Sequence, residues 1–161
     1  MLIERLPAGD WERYRDIRLA SLLDTPDAFG STHAGEATLT PADWQARLAR
    51  PDVATLVAVV DGQDLGTMVV APSFGDPDVA GIYGVWVAPA GRGRGIGDAL
   101  LAAAVEAARA AGFPRVVLDV GDHNTPAQCL YARHGFTPTG NTSTLPPPRE
   151  DVTEHELARD L

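Results

Sequence analysis

The chain has a single cysteine, Cys129, among 161 residues. That excludes an internal disulfide framework and suits a reducing compartment, so a cytoplasmic location is expected. A lone cysteine within an apolar helical segment is expected to be a small buried side chain rather than a nucleophile. No apolar run approaches the length of a membrane-spanning helix, and no basic segment followed by a long apolar stretch opens the chain. Positive charge is scarce: 13 Lys and Arg stand against 22 Asp and Glu, a net charge of -9. Such a surface repels nucleic acid and anionic membrane, so neither is an expected partner. An acidic field can attract a cationic substrate such as an amine. His33, His134 and His155 lack metal-ligand spacing, so no metal is expected. The length allows one domain, residues 1–161, with a real core, and the 45% hydrophobic content fits an ordinary globular protein.

What is present is concentrated in residues 85 to 101, Val-Trp-Val-Ala-Pro-Ala-Gly-Arg-Gly-Arg-Gly-Ile-Gly-Asp-Ala-Leu-Leu. An apolar strand-type run (Val85, Trp86, Val87) meets Pro89, which cannot donate to a sheet ladder. Gly91, Gly93, Gly95 and Gly97 follow at alternate positions with Arg92 and Arg94 between them, and an alanine-rich helical pattern continues to Ala111. Strand, glycine turn and helix start together predict an anion site, because the first helical N–H groups have no partner and the helix dipole is positive there. Guanidinium groups embedded in the turn fit phosphate, so a phosphate contact is expected for at least one of Arg92 and Arg94, with solvated side chains as the alternative. The glycine spacing is not the dinucleotide fingerprint, and no Gly-Lys-Ser/Thr run is present, which disfavours an oxidoreductase and a P-loop enzyme.

Along the chain, Leu2 to Leu6 reads as a strand, and Asp10 is placed to cap a helix from Trp11 to about Leu23. Residues 27 to 39 read as loop or a broken helical turn. Thr40-Pro41-Ala42-Asp43 opens a second helix with Trp44 and Leu48 on one face. Thr55 to Val60, Leu65 to Ala71 and Val79 to Val87 read as an antiparallel meander, with Asp61-Gly62 as the first hairpin turn. A long helix to Ala111 is ended by Gly112, a strand spans Arg115 to Val120, and a shorter helix spans Thr125 to His134. Phe136 onward and Val152 to Ala158 supply two more strands, joined through Pro146-Pro147-Pro148 as an extended connection. The order β-α-α-β-β-β-α-β-α-β-β describes an α/β (α+β) protein.

Two segments carry a family resemblance. Arg92-Gly93-Arg94-Gly95-Ile96-Gly97, preceded by Val87 and Pro89, resembles the R/Q-x-x-G-x-G/A loop of the GCN5-related N-acetyltransferases. Asn124 to Phe136 resembles that family's N-x-x-A-x-x-x-Y-x-x-x-G-F segment. Arg18 to Leu23 with Pro26-Asp27-Ala28-Phe29-Gly30 and a following Glu36 looks like the opening of one bacterial subgroup. The resemblance implies a mixed, mostly antiparallel sheet of six to seven strands, splayed between the fourth and fifth and flanked by about four helices.

It also implies an acetyl-CoA-dependent enzyme that acetylates a primary amine of a small molecule or peptide by direct transfer, with a homodimer plausible by family habit. The alternative is a non-catalytic acetyl-CoA sensor on the same fold. By resemblance, the backbone of Val85, Trp86 and Val87 would pair with the pantetheine arm, and a nearby N–H would meet the oxyanion. The amides of Arg92, Gly93, Arg94, Gly95, Ile96 and Gly97 would hold the pyrophosphate. Asn124 would either bond to pantetheine or simply cap its helix. Tyr131 would protonate the departing thiolate. The family's strand-four glutamate has no counterpart, since Ile82, Tyr83, Gly84, Val85 and Trp86 stand there. Glu36 is the leading substitute as base, followed by Asp119 and His123.

Overall fold

The computed structural model describes Met1–Leu161 and is built on a seven-stranded sheet in the order β1-β2-β3-β4-β5-β7-β6. The strands are β1 (Leu2–Arg5), β2 (Ala54–Val60), β3 (Gln63–Pro72), β4 (Ala80–Val87), β5 (Arg115–Gly121), β6 (Thr137–Thr144) and β7 (Thr153–Asp160). The helices are α1 (Trp11–Asp24), α2 (His33–Glu36), α3 (Pro41–Ala49), α4 (Ile96–Ala110) and α5 (Thr125–Arg133). Every neighbouring pair of strands is antiparallel except β4 and β5, which run parallel because α4 carries the chain back across the sheet. The expected mixed sheet is therefore present with seven strands. The fifth helix, α2, is one turn in the segment read as loop or broken helix. No helix is long and apolar enough to cross a membrane.

Two apolar clusters lie on opposite faces of the sheet. On one, α4 buries Ile96, Leu100, Leu101, Ala104, Val105 and Ala108 against β2 to β5. Its alanines and Gly66 of β3 let helix and sheet approach closely. A Cβ at Gly66 would stand 2.9 Å from Leu100 and 3.0 Å from Ile96. Each Leu or Ile buried there contributes about 2 kcal/mol of transfer free energy. On the other face, Tyr14, Ile17 and Leu22 of α1 pack with Trp44 and Leu48 of α3, Val57 and Trp86. Thr40 and Asp43 form the reciprocal cap that starts α3.

Three local expectations are corrected. Asp10 precedes α1 but makes no side-chain cap; its carboxylate pairs with Arg13 instead. The triple proline forms a turn rather than an extended connection, with Arg149 N–H donating to the Pro146 carbonyl. Cys129 is exposed, because α5 turns Ala127, Leu130 and Tyr131 toward the core and leaves residue 129 on the outer side.

Candidate active site

β4 and β5 pair only at Ala80 with Val116 and Gly81 with Val117, then diverge. The divergence starts just before an irregularity in β4. Thr67 faces Trp86 and Val69 faces Tyr83, so Gly84 and Val85 together oppose Met68. Gly84 takes a φ of 59°, a conformation costly for any residue with a Cβ. The bulge turns β4 away from β5 and opens the sheet at its middle.

At the end of β4 the glycine loop meets α4. Gly95 caps the helix in the left-handed conformation, with φ 73°. No backbone N–H from Gly93 to Asp98 finds an acceptor within the protein; the first helical bond runs from Ala99 to Gly95. A row of unpartnered N–H groups at the positive end of a 15-residue helix is an anion cradle. Gly91 and Gly97 serve packing instead. A Cβ at Gly91 would stand 2.8 Å from Ile96, and one at Gly97 would stand 3.2 Å from Leu130. The arginine side chains are not aligned with that row. Arg92 donates from Nε to the Val87 carbonyl at 3.1 Å and pairs with Asp24, which also accepts from Trp86 Nε1. Arg94 is exposed and lies 3.8 Å from Asp61.

Beside the splay, a cleft of about 820 Å³ runs between the sheet, α1, α3 and the start of α5. Val85, Asn124 and Tyr131 line it; Trp86, Val87 and the glycine loop lie outside its wall. Asn124 accepts from the Ala127 N–H at 3.3 Å, so its carbonyl oxygen caps α5 while the residue still faces the cleft. Tyr131 is 3% exposed, and burial pushes its hydroxyl pKa up, which keeps it protonated at neutral pH.

Two carboxylate systems face this cleft from the same side of the sheet. On the helical side, Glu36 accepts from Arg18 through Nη2 at 2.9 Å and Nε at 3.2 Å, and from Arg47 Nη1 at 2.8 Å. Burial would raise its pKa, but the hydrogen bond and charge of Arg18 and the charge of Arg47 outweigh that and hold it low. Arg18 is itself buried, and its Nη1 has no partner. On the strand side, Asp119 stands opposite Glu156 and Gly121 opposite Glu154 in the β5–β7 ladder. Period-two alternation therefore sends Asp119, Glu154 and Glu156 to one face, while Val116, Leu118 and Val120 enter the core. Asp119 is pushed above the usual carboxylate range by burial and by Glu156, and Glu154 by burial and by Asp119. His123 lines the cleft with a half-exposed ring.

The expected site residues thus divide into a phosphate-type cradle (Gly93 to Gly97) and a cleft set of Val85, Asn124, Tyr131, Glu36, Asp119 and His123. Reading the sequence missed Glu154 and Glu156, whose i, i+2 spacing marks one strand face. It also missed Arg149, which reaches from the β6–β7 turn to the carbonyls of Pro26, Phe29 and Gly30 and pins the loop over the cleft.

The family model described as the acetyltransferase (GNAT) family matches residues 14–136. A mycothiol acetyltransferase of Arthrobacter sp. (strain FB24) is 37% identical over 114 residues, which is 66% of this chain and 35% of that protein. The chain therefore spans about a third of the length of such a relative. A GNAT acetyltransferase structure from Streptococcus pneumoniae superposes with a TM-score of 0.82 at 20% identity, covering 99% of each chain. An acetyltransferase structure from Salmonella typhimurium with its cofactor acetyl-CoA gives 0.79 at 22% identity, covering 100% of this chain and 94% of that one. At these identities the structures speak for the fold. With the family match spanning most of the chain, the splayed sheet and the glycine loop have a common explanation: the chain belongs to the GNAT acetyltransferase family.

Proposed function

We propose that residues 1–161 form a single acetyl-CoA-dependent N-acetyltransferase domain that acetylates a primary amine by direct transfer. One observation carries it: β4, splayed from β5, runs from a cleft lined by Val85, Tyr131 and Asp119 to a glycine loop whose N–H groups are free. The cradle fits a pyrophosphate through backbone donors, with Arg94 free to add charge and Arg92 engaged in holding the loop. Acetyl-CoA, when bound, supplies the activated acyl group.

The chain's own residues then have distinct tasks. Asp119 takes the proton from the acceptor ammonium, because its raised pKa makes it a stronger base than an ordinary aspartate. Glu36, doubly paired and shifted the opposite way, orients Arg18 and does not serve as base. A backbone N–H in the Gly84–Val87 segment stabilises the oxyanion that forms as the amine nitrogen attacks the acyl carbon. As the C–S bond breaks, the Tyr131 hydroxyl gives its proton to the departing thiolate. The exposed free thiol of Cys129 suits the cytoplasm.

The sensor alternative needs a site without a base, and Asp119 supplies one. Coenzyme A release is the test, read as free thiol with acetyl-CoA and a panel of amines. Tyr131→Phe should lose about a hundredfold in kcat while calorimetry shows acetyl-CoA binding retained. Tight acetyl-CoA binding by the wild type with no release from any amine would establish the sensor instead.

A further inference from the structure

The cleft is electrically two-ended, and this assigns the chemistry of its acceptor beyond an amine. We infer that the acceptor is a dipolar ion, an amine that also bears a carboxylate, with the carboxylate held at the arginine end. The inference rests on the transferase reading above.

At the helical end Arg18 and Arg47 share the single carboxylate of Glu36, Arg50 is paired with Asp52, and the exposed Asp27 of the same wall forms no salt bridge with any of them. Arg47 offers the reachable donors: its side chain is 39% exposed, its Nη1 goes to Glu36, and its guanidinium lies over the Trp44 ring. Arg18 is 9% exposed, and its Nη1 is a buried donor with no acceptor. That nitrogen lies 3.6 Å from where a Cβ on Gly84 would stand, so it is aimed at the bulge where β4 opens. Phe29 roofs it, its ring 4.8 Å from the guanidinium carbon, on the loop that Arg149 pins. A carboxylate that shifts this ring completes the hydrogen bonding of Arg18; a neutral group leaves a charged donor unsatisfied.

At the strand end the signs reverse. Asp119 and Glu154 line the same cleft, form no salt bridge, and stand beside Glu156 in the ladder. An ammonium is the ligand group that relieves this repulsion, and Asp119 is there to deprotonate it. In a protein of net charge -9, a buried guanidinium donor without an acceptor at one wall of the cleft, opposite carboxylates that form no salt bridge, is a complement to a dipolar ligand. A plain alkylamine would leave Arg18 Nη1 without an acceptor.

The experiment is kcat/KM for glycine, β-alanine, 4-aminobutyrate and L-lysine, each against its carboxamide, with acetyl-CoA saturating. The wild type should prefer at least one acid over its amide by about tenfold, the factor one hydrogen bond to a charged group supplies. Arg47→Gln should collapse that preference through KM rather than kcat. Arg109→Gln, on the exposed side of α4, should keep it. Acid and amide acetylated equally, or the amide preferred, overturns the inference and leaves the transferase standing. No thiol release with any acceptor in the panel, plain polyamines included, overturns both.

Discussion

Glu36 and Asp119 face one cleft, yet their surroundings push them in opposite directions. Glu36 comes from a single turn of helix and is enclosed by Arg18 and Arg47, whose charges outweigh the cost of burial. Asp119 comes from a strand whose ladder partner is another acid, and nothing cationic bridges to it. On the proposed reading, the first arrangement binds and orients and the second stores basicity. A carboxylate's role in this site follows from which element its neighbours come from, and burial alone does not set it.

Substitutions that remove one charge at a time break the comparison most sharply. Asp119→Asn should lower kcat/KM by about a hundredfold to a thousandfold while leaving the folded state as stable or more stable at neutral pH, since a repelled charge is lost. Glu36→Gln should do the converse. It leaves Arg18 buried without its partner and costs about 3 kcal/mol in urea unfolding, with a smaller effect on kcat. If the two variants lost stability alike, the opposed environments would not exist.

The same contrast predicts opposite pH dependences. Glu36 has a folded pKa below its ordinary 4.5, so the stability it adds is present above that value and is lost as pH falls through the folded pKa. Asp119 and Glu154 have folded pKa values above their ordinary 3.8 and 4.5, so they bind protons more readily folded than unfolded. Their contribution is favourable below those ordinary values and is lost as pH rises through the raised ones. Unfolding free energy of Glu36→Gln should therefore converge on that of the wild type in acid, whereas Asp119→Asn should gain on the wild type toward neutrality. The kcat/KM profile of the wild type should rise through a pKa above the usual aspartate range and lose that step in Asp119→Asn.

The smallest effect belongs to the glycine loop. Its free donors are backbone groups, and the Arg92 side chain is half exposed and tied to Asp24 and the Val87 carbonyl. Arg92→Ala should cost about 0.5 kcal/mol of stability and change the acetyl-CoA Kd measured by calorimetry by less than about tenfold. A larger loss would give the side chain a direct phosphate contact.

Local patterns were legible wherever the physics is local. The glycine alternation, the Thr40–Asp43 cap, the Asp61-Gly62 turn and the Gly112 stop each depend on a few adjacent residues, and each is found in place. Asp10 failed as a cap because Arg13, one turn on, competes for the same carboxylate. Cys129 was misread because α5 is short and only a narrow side of it meets the core. Glu36 was legible as a candidate site residue but not in its pairing, since Arg18 lies one helix before it and Arg47 one helix after.

The sequence by itself determined the order of elements, the anion cradle at the start of α4 and the family resemblance, because hydrophobic period, glycine spacing and helix-end chemistry act over a few residues. Only the tertiary structure decided which carboxylates stand alone and which are paired. That depends on β7 inserting between β5 and β6 and on α1, α2 and α3 meeting at Glu36. These juxtapositions join residues 11 to 37 positions apart, and no local preference encodes them.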